Sequence, residues 1–189
     1  MDKSVKSIFL LLFAFSASAT DQPQPALNIK GVQLGMSRAT IEKILGDDLA
    51  CNKASDFGDG MMLCTRRTNM FKRYTDTFAS KPVTIYYFLG PDDKAVAVHV
   101  SGLEPSSFQA VADGFSERFG KASKIEQEQW ESRAGVKADN LIETWRQGDA
   151  ELAVRKFGQR ITEMQLSLSS LSDMMRRHQA EQNKAKRDM

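Results

Sequence analysis

Long apolar runs are missing from this chain of 189 residues. Its one continuous run, Ile8 to Phe15, is about eight residues against the roughly 20 that a helix needs to cross a bilayer. A helical membrane span is thereby excluded. No cysteine follows that run within a few residues, which excludes the lipid anchor of a bacterial lipoprotein. Histidine is scarce: His99 and His178 are the two present. Neither lies near Cys51 or Cys64 in sequence, so a thiolate–imidazole metal site lacks its ligands. Charge of one sign is lacking too. Lys and Arg number 26 against 24 Asp and Glu, a net charge of +2, too little for the field of a nucleic-acid binder or a polyanion carrier.

What is present begins at the N-terminus. Lys3 and Lys6 precede the short apolar run, and Ala17-Ser18-Ala19 follows it with small side chains. This is the three-part pattern of a secretory signal with its cleavage site, residues 1–19. The mature chain is expected to begin near Thr20 and to be soluble in the periplasm, or secreted. Export sets aside ATP and NAD chemistry and puts both cysteines in an oxidising compartment. An even pair there predicts a Cys51–Cys64 disulfide, worth about 3 kcal/mol by loop entropy. A redox-active pair would read C-x-x-C instead. At its length the mature chain buries roughly 70% of its extended surface, so the bridge supplements a core and does not replace one.

Residues 20–27 carry Pro23 and Pro25 among polar side chains and read as an unpacked lead-in. Asn28 to Val32 then alternates as a short edge strand. Ser37 is an N-cap with Met36 and Ile41 at the staple positions. Ile41, Ile44 and Leu45 form the apolar side of a first helix that Gly46 stops. Residues 47–60 read as a Gly/Asp-rich turn region holding Cys51, and Met61 to Cys64 as a strand. Residues 66–81 read as a loop with one or two helical turns. Val83, Ile85, Tyr87 and Leu89 alternate with Thr84, Tyr86 and Phe88, a strand apolar on both faces and hence central. After the turn at Gly90-Pro91-Asp92-Asp93, Val96, Val98 and Val100 line one face of its hairpin partner, with Ala95, Ala97 and His99 on the other.

A second cycle follows. Phe108, Val111, Ala112, Phe115 and Phe119 recur at helical spacing behind Pro105 and end at Gly120. Residues 121–139 read as a long charged loop with room for helix over 126–133. Leu141–Gln147 and Ala150–Phe157 flank Gly148-Asp149, a Gly-first two-residue hairpin turn, and Ile161–Leu168 supplies a third strand. Helix, three strands, helix, three strands predicts an α+β fold of tandem αβββ repeats, residues 28–102 and 103–170. One antiparallel sheet is expected to run across both, with the helices on one face. Residues 171–189 turn polar and basic and read as a helical or frayed tail.

The stretch Ile29-Lys30-Gly31-Val32-Gln33-Leu34-Gly35-Met36-Ser37, with a helix ending in Leu45-Gly46, resembles the opening of the SmpA/OmlA family. That family is the small BamE-type component of the outer-membrane barrel-assembly machinery. The tandem unit is similar to the beta-lactamase inhibitor protein fold. Thr77-Phe78-Ala79, Phe119-Gly120-Lys121 and Trp145-Arg146-Gln147-Gly148 look like the pattern of two-repeat periplasmic proteins of proteobacteria. These motifs are caps, turns and core positions, so the resemblance implies a fold and transfers no binding residue.

Chemistry-bearing clusters are few. Arg66, Arg67, Lys72, Arg73 and Lys81 interleave with Met70, Phe71, Tyr74 and Phe78, with Asp76 as the one acid among them. Such a stretch can anchor and steer an acidic partner, or it can cap the core with its apolar members while the charges keep it solvated. Arg66, Arg67, Met70, Phe71, Lys72, Arg73 and Tyr74 are the candidate partner-binding residues. Asp56-Phe57-Gly58 matches the kinase magnesium motif in letters without the glycine-rich loop or lysine. Asp47, Asp48, Asp56 and Asp59 lack the EF-hand register, and Glu126, Glu128 and Glu131 read as a solvated face. His99 has no nucleophile poised beside it in sequence.

No cofactor and no metal are expected. The resulting expectation is a non-catalytic periplasmic interaction module that binds an envelope protein. Two alternatives stay open. One is an inhibitor of a periplasmic or foreign hydrolase, such as a beta-lactamase or lysozyme, using a concave sheet face with Tyr86, Phe88 and Trp145 exposed. The other is a small envelope hydrolase with His99 beside a carboxylate in a pocket.

Overall fold

The computed structural model describes residues 24–54, 60–66, 76–131 and 135–176. Helix α1, Arg38–Leu45, starts where Ser37 accepts a hydrogen bond from the Thr40 backbone and stops where Gly46 takes φ 69° and donates to the Glu42 carbonyl. Strands β1 (Leu49–Lys53), β2 (Met62–Arg66), β3 (Asp76–Phe78), β4 (Lys81–Leu89) and β5 (Ala95–Ser101) follow. A 3-10 turn at Pro105–Ser107 leads into α2 (Phe108–Phe119), and then come β6 (Lys124–Glu131), β7 (Lys137–Gln147), β8 (Ala150–Arg155) and β9 (Gln165–Ser170). Residues 171–176 are helical.

All the strands join one antiparallel sheet in the order β1-β2-β4-β5-β9-β8-β7-β6, with β3 paired to the start of β4. The fold is therefore α+β. Both helices pack on the same face, because Ile41 of α1 and Phe108, Val111, Phe115 and Phe119 of α2 share one core with Ile85, Tyr87, Val98, Val100, Leu152 and Leu166. Burial of each such side chain contributes on the order of 2 kcal/mol against the entropy of ordering it. No helix among the described residues is long and apolar enough to cross a membrane.

Several local expectations are corrected. Residues 121–139 are not a loop: Lys124–Glu131 is an eight-residue edge strand, paired throughout with β7. Seven of its eight residues are exposed, so neither face needs apolar side chains and the period-two signal is absent from its hydropathy. Leu49–Lys53, read as turn, is a strand that sets Cys51 directly opposite Cys64. Asn28 to Val32 is not an edge strand: Ile29 and Val32 bridge to each other across Lys30 at φ 51° and Gly31 at φ 85°. The hairpin β3–β4 turns at Ala79 (φ 47°) and Ser80 (φ 61°), replacing the last part of the expected 66–81 loop. The last strand starts at Gln165 instead of Ile161.

In β5 the ladder shifts register opposite Phe88 and Leu89, so that Leu89 faces Ala95 and Phe88 faces Ala97. The extra residue, Val96, changes sides. Ala95 joins the helix-side core and Val96 packs with Phe88 and Ala97 on the opposite face, the reverse of the expected alternation. The hairpin at Gly148-Asp149 is present as expected, with Gly148 at φ 57° and Gln147 opposite Ala150.

Cys51 and Cys64 are disulfide-bonded across β1 and β2, 13 residues apart. The double substitution Cys51→Ser/Cys64→Ser is expected to lower unfolding free energy by about 3 kcal/mol, read as a lower urea midpoint; an unchanged midpoint contradicts this role. Tyr87 is wholly buried, and its hydroxyl has no hydrogen-bond partner among the described residues. Burial pushes its phenol well above the usual range, with the Asp76 charge adding to the effect. Tyr87→Phe removes a desolvated hydroxyl and is expected to leave stability unchanged or to raise it by up to about 1 kcal/mol. A clear loss in thermal denaturation would reveal a partner for that hydroxyl.

Candidate functional site

The face of the sheet away from the helices carries two rows of outward side chains. In one row Leu63, Phe88, Ala97, Ser169, Glu151 and Arg146 are successive cross-strand neighbours from β2 to β7. In the next, Tyr86, His99, Ser167, Ala153 and Thr144 are. One end is apolar: Ala54, Met61, Phe88 and Ala97 form a small second cluster with Leu63, Tyr86 and Val96 packed on it. The other end is charged, with Arg146 paired to Glu151 at 2.7 Å, Lys124 to Glu126 at 2.7 Å and Arg155 to Glu128 at 3.3 Å.

Between these ends the floor is made of alanine and serine, so large neighbours stand above it and a trough results. It has two hollows. The first, about 270 Å³, is lined by Phe88, Val96, Ala97, Ala153, Ser167 and Ser169 among others, and is closed by Asp173 and Met174 of the C-terminal helical turn. The second, about 220 Å³, is lined by Tyr86, His99, Ser101, Gln159, Glu163 and Gln165 among others. His99 and Gln165 line both. The His99 ring lies 4.9 Å from that of Phe88, tilted by 57°.

Both end walls are tied down by side chains. Asp149, in the β7–β8 turn, accepts from the Ser172 backbone at 2.8 Å and from the hydroxyls of Ser170 at 2.6 Å and Ser172 at 2.8 Å. It thus caps the helical turn over residues 171–176, and the Ser170 hydroxyl foremost holds its carboxyl below the usual range. At the other end, Asn140 is 1% exposed. It accepts from the Phe157 N–H at 2.8 Å and donates to the Phe157 carbonyl at 3.1 Å. Trp130 donates its indole N–H to the Gly158 carbonyl at 2.9 Å. These contacts hold the loop over residues 156–164 against the sheet. Asn140 and Trp130 were not singled out from sequence, and Asp149 was read only as a turn residue. Asn140 stands beside Asp139 in a mixed strand, and no local signal marked it.

The basic residues fall elsewhere. Arg66 is engaged within the fold, its guanidinium bonded to Asp47 and, at 3.3 Å, to Asp76. The Asp76 side chain is nearly buried and also takes the Lys30 ammonium at 2.8 Å. Arg67, Met70, Phe71, Lys72, Arg73 and Tyr74 lie outside the described residues. Phe78 packs on Phe115, ring centroids 6.1 Å apart, as the core-cap reading of that stretch requires. Trp145 corrects the expected exposed aromatic row. It is 1% exposed on the helix side, donating to the Gly120 carbonyl at 2.8 Å and standing edge-on to Phe115 at 5.8 Å. Phe88 is on the open face but 4% exposed. Tyr86 is half-buried there.

His99 occupies the trough and not a flat surface. Glu151, Asp173 and Glu163 line the same two hollows, and Ser167 is its direct cross-strand neighbour. Among the described residues no three His, Cys, Asp or Glu side chains converge as a metal site would require.

Burial pushes the Asp76 carboxyl up, but the Lys30 ammonium and then Arg66 outweigh it and hold the group below the usual carboxylate range. A carboxyl depressed in the folded state contributes stability that is complete above its unfolded value of about 4 and is lost as pH falls through the lower folded value. Asp76→Asn is therefore expected to destabilise at pH 7 and to lose that difference at the acid end. Equal destabilisation at both ends of a pH series of urea titrations would contradict the ion network.

Comparison with protein-family models, with curated proteins and with solved structures finds no match.

Proposed function

We propose that the protein is a non-catalytic interaction module of the bacterial envelope that holds a partner protein on the open face of its sheet. The observation that carries this reading is the trough: a floor of Ala97, Ala153, Ser167 and Ser169 with walls fixed at both ends. A rigid concavity between an apolar and a charged margin has the layout of a protein interface, with a desolvated centre and a polar rim.

Export to the periplasm is supported by the signal-like pattern of residues 1–19 and by the Cys51–Cys64 bridge. A tandem-repeat, BamE-like or inhibitor-protein-like ancestry is supported by connectivity. Helix α1 precedes the meander β1, β2, β4, β5, helix α2 precedes β6 to β9, and the last strands of the two units pair. Absence of catalysis is supported by the backbone around His99. Strands β5 and β9 are paired on both sides, so their N–H groups serve the ladder and offer no donors to a developing oxyanion. The hydrolase-inhibitor reading loses its aromatic row, since Trp145 lies under α2 and Phe88 is largely covered.

A photo-crosslinking amino acid at Ser167, on the trough floor, is expected to capture a protein in living cells, and the same probe at Gln109, exposed on α2, is not. Filling the trough with Ala153→Trp should abolish the adduct. Adducts from Gln109 alone, or from Lys72 alone, would move the binding surface elsewhere.

A further inference from the structure

The trough has a direction. It follows the β5–β9 pair from Ala97 and Ser169 in the first hollow, across His99, to Ser101 in the second. Ala97 and Ser101 are four residues apart on one strand, roughly 14 Å at about 3.4 Å per residue. An extended segment lying alongside presents its alternate side chains at the same spacing. Residues i and i+4 of such a segment fall over the two hollows, and residue i+2 falls over His99.

Both hollows mix apolar and polar lining and differ in charge. In the first, Phe88, Val96, Ala97 and Ala153 supply apolar surface. Its charged members are already matched: Glu151 by Arg146, Arg155 by Glu128, Asp173 by Arg176. The second sets the hydroxyl, imidazole and amide groups of Ser101, His99, Gln159 and Gln165 beside Tyr86, Val100 and Met164, with Glu163 among its lining. No ion pair among the described residues involves Glu163, and Arg160 of the same loop is not part of the lining. A carboxylate without an ion-pair partner at the rim of a hollow attracts a cation.

We infer that the trough takes one extended partner segment with an aromatic or aliphatic side chain in the first hollow, a small residue over His99 and Lys or Arg in the second. This rests on the open face being the binding surface. It adds the partner's chemistry: a strand or loop of apolar-x-small-x-basic pattern, in either chain direction, and not a flat acidic surface.

The test uses the full mature chain, labelled for NMR, and four capped peptides: Phe-Ser-Gly-Ser-Lys, its reverse order, and both with Glu in place of Lys. One Lys peptide is expected to shift the resonances of Ala97, His99, Ser101 and Ser167, binding about fivefold tighter than its Glu counterpart. Glu163→Lys, on an exposed loop, should invert that preference, and Ala97→Trp should remove binding of both while the remaining spectrum stays native. Binding at the trough without discrimination, or without inversion by Glu163→Lys, overturns this inference and leaves the open-face reading standing. Absence of any trough shift at millimolar peptide counts against both. Shifts confined to other surfaces, or competition from the chain's own basic residues 177–189 abolished by their removal, assign the trough to a different occupant and overturn it as well.

Discussion

The pairing of β5 with β9 is the joint on which the molecule depends. Among the described residues it is the one ladder that connects the strands preceding α2 with those following it, running from Ala97 opposite Ser169 to Val100 opposite Leu166. Because side chains alternate across a sheet, the same few residues serve two purposes. Val98, Val100, Leu166 and Leu168 enter the core beneath the helices, while Ala97, His99, Ser167 and Ser169 face the trough. A slip of one residue would put hydroxyls into the core and leucines into water. Core burial therefore enforces the composition of the trough floor, and the site needs no separate device to hold its register.

The floor alone would be a shallow strip. Its depth comes from segments outside the ladder, the loop over residues 156–164 and the helical turn over 171–176, each fixed by side chains reaching to backbone. Asn140 supplies both partners that a neighbouring strand would have offered Phe157, and Asp149 serves three donors of the C-terminal turn. Side chain-to-backbone bonds of this kind each contribute about 1 kcal/mol net. Their larger effect is to remove alternative loop positions, which is what a binding surface requires.

Much of the scaffold was legible because its signals are local. Ser37 and Gly46 mark α1, the aromatic stripe marks α2, and Gly148-Asp149 marks the β7–β8 turn. Strand β6 was illegible because an exposed edge needs no apolar alternation, and β1 because turn-forming residues surround it. The bulge at Val96 inverted a face assignment that simple alternation had made. Trp145 was misplaced because Ile142 and Thr144 beside it are buried too, so parity alone does not tell which side carries the helix. The trough was the least legible feature. Basic and aromatic residues at 66–74 stand out in a sequence, whereas a floor of alanine and serine becomes distinctive only once three strands, β5, β9 and β8, set those small side chains side by side.

The edge of the sheet bears on the proposal that a partner meets its face. Strand β6 offers eight residues, seven of them exposed, without a bulge or proline, the kind of edge that invites another copy. Two-fold symmetric antiparallel pairing of one edge with itself keeps both sheet faces aligned, so each residue must oppose one of the same parity. Centred on Gln127, such pairing sets Glu126 against Glu128 of the second copy twice. Centred on Glu128, it sets that carboxylate against itself. Like charges directly opposite are destabilising, and Lys124 is already paired with Glu126 within the chain. The carboxylates of β6 thus disfavour self-pairing in the registers centred on Gln127 and Glu128. With the helix side occupied by α1 and α2, the proposed docking of an extended chain falls to the small-floored trough on the other face, away from the carboxylates of that edge.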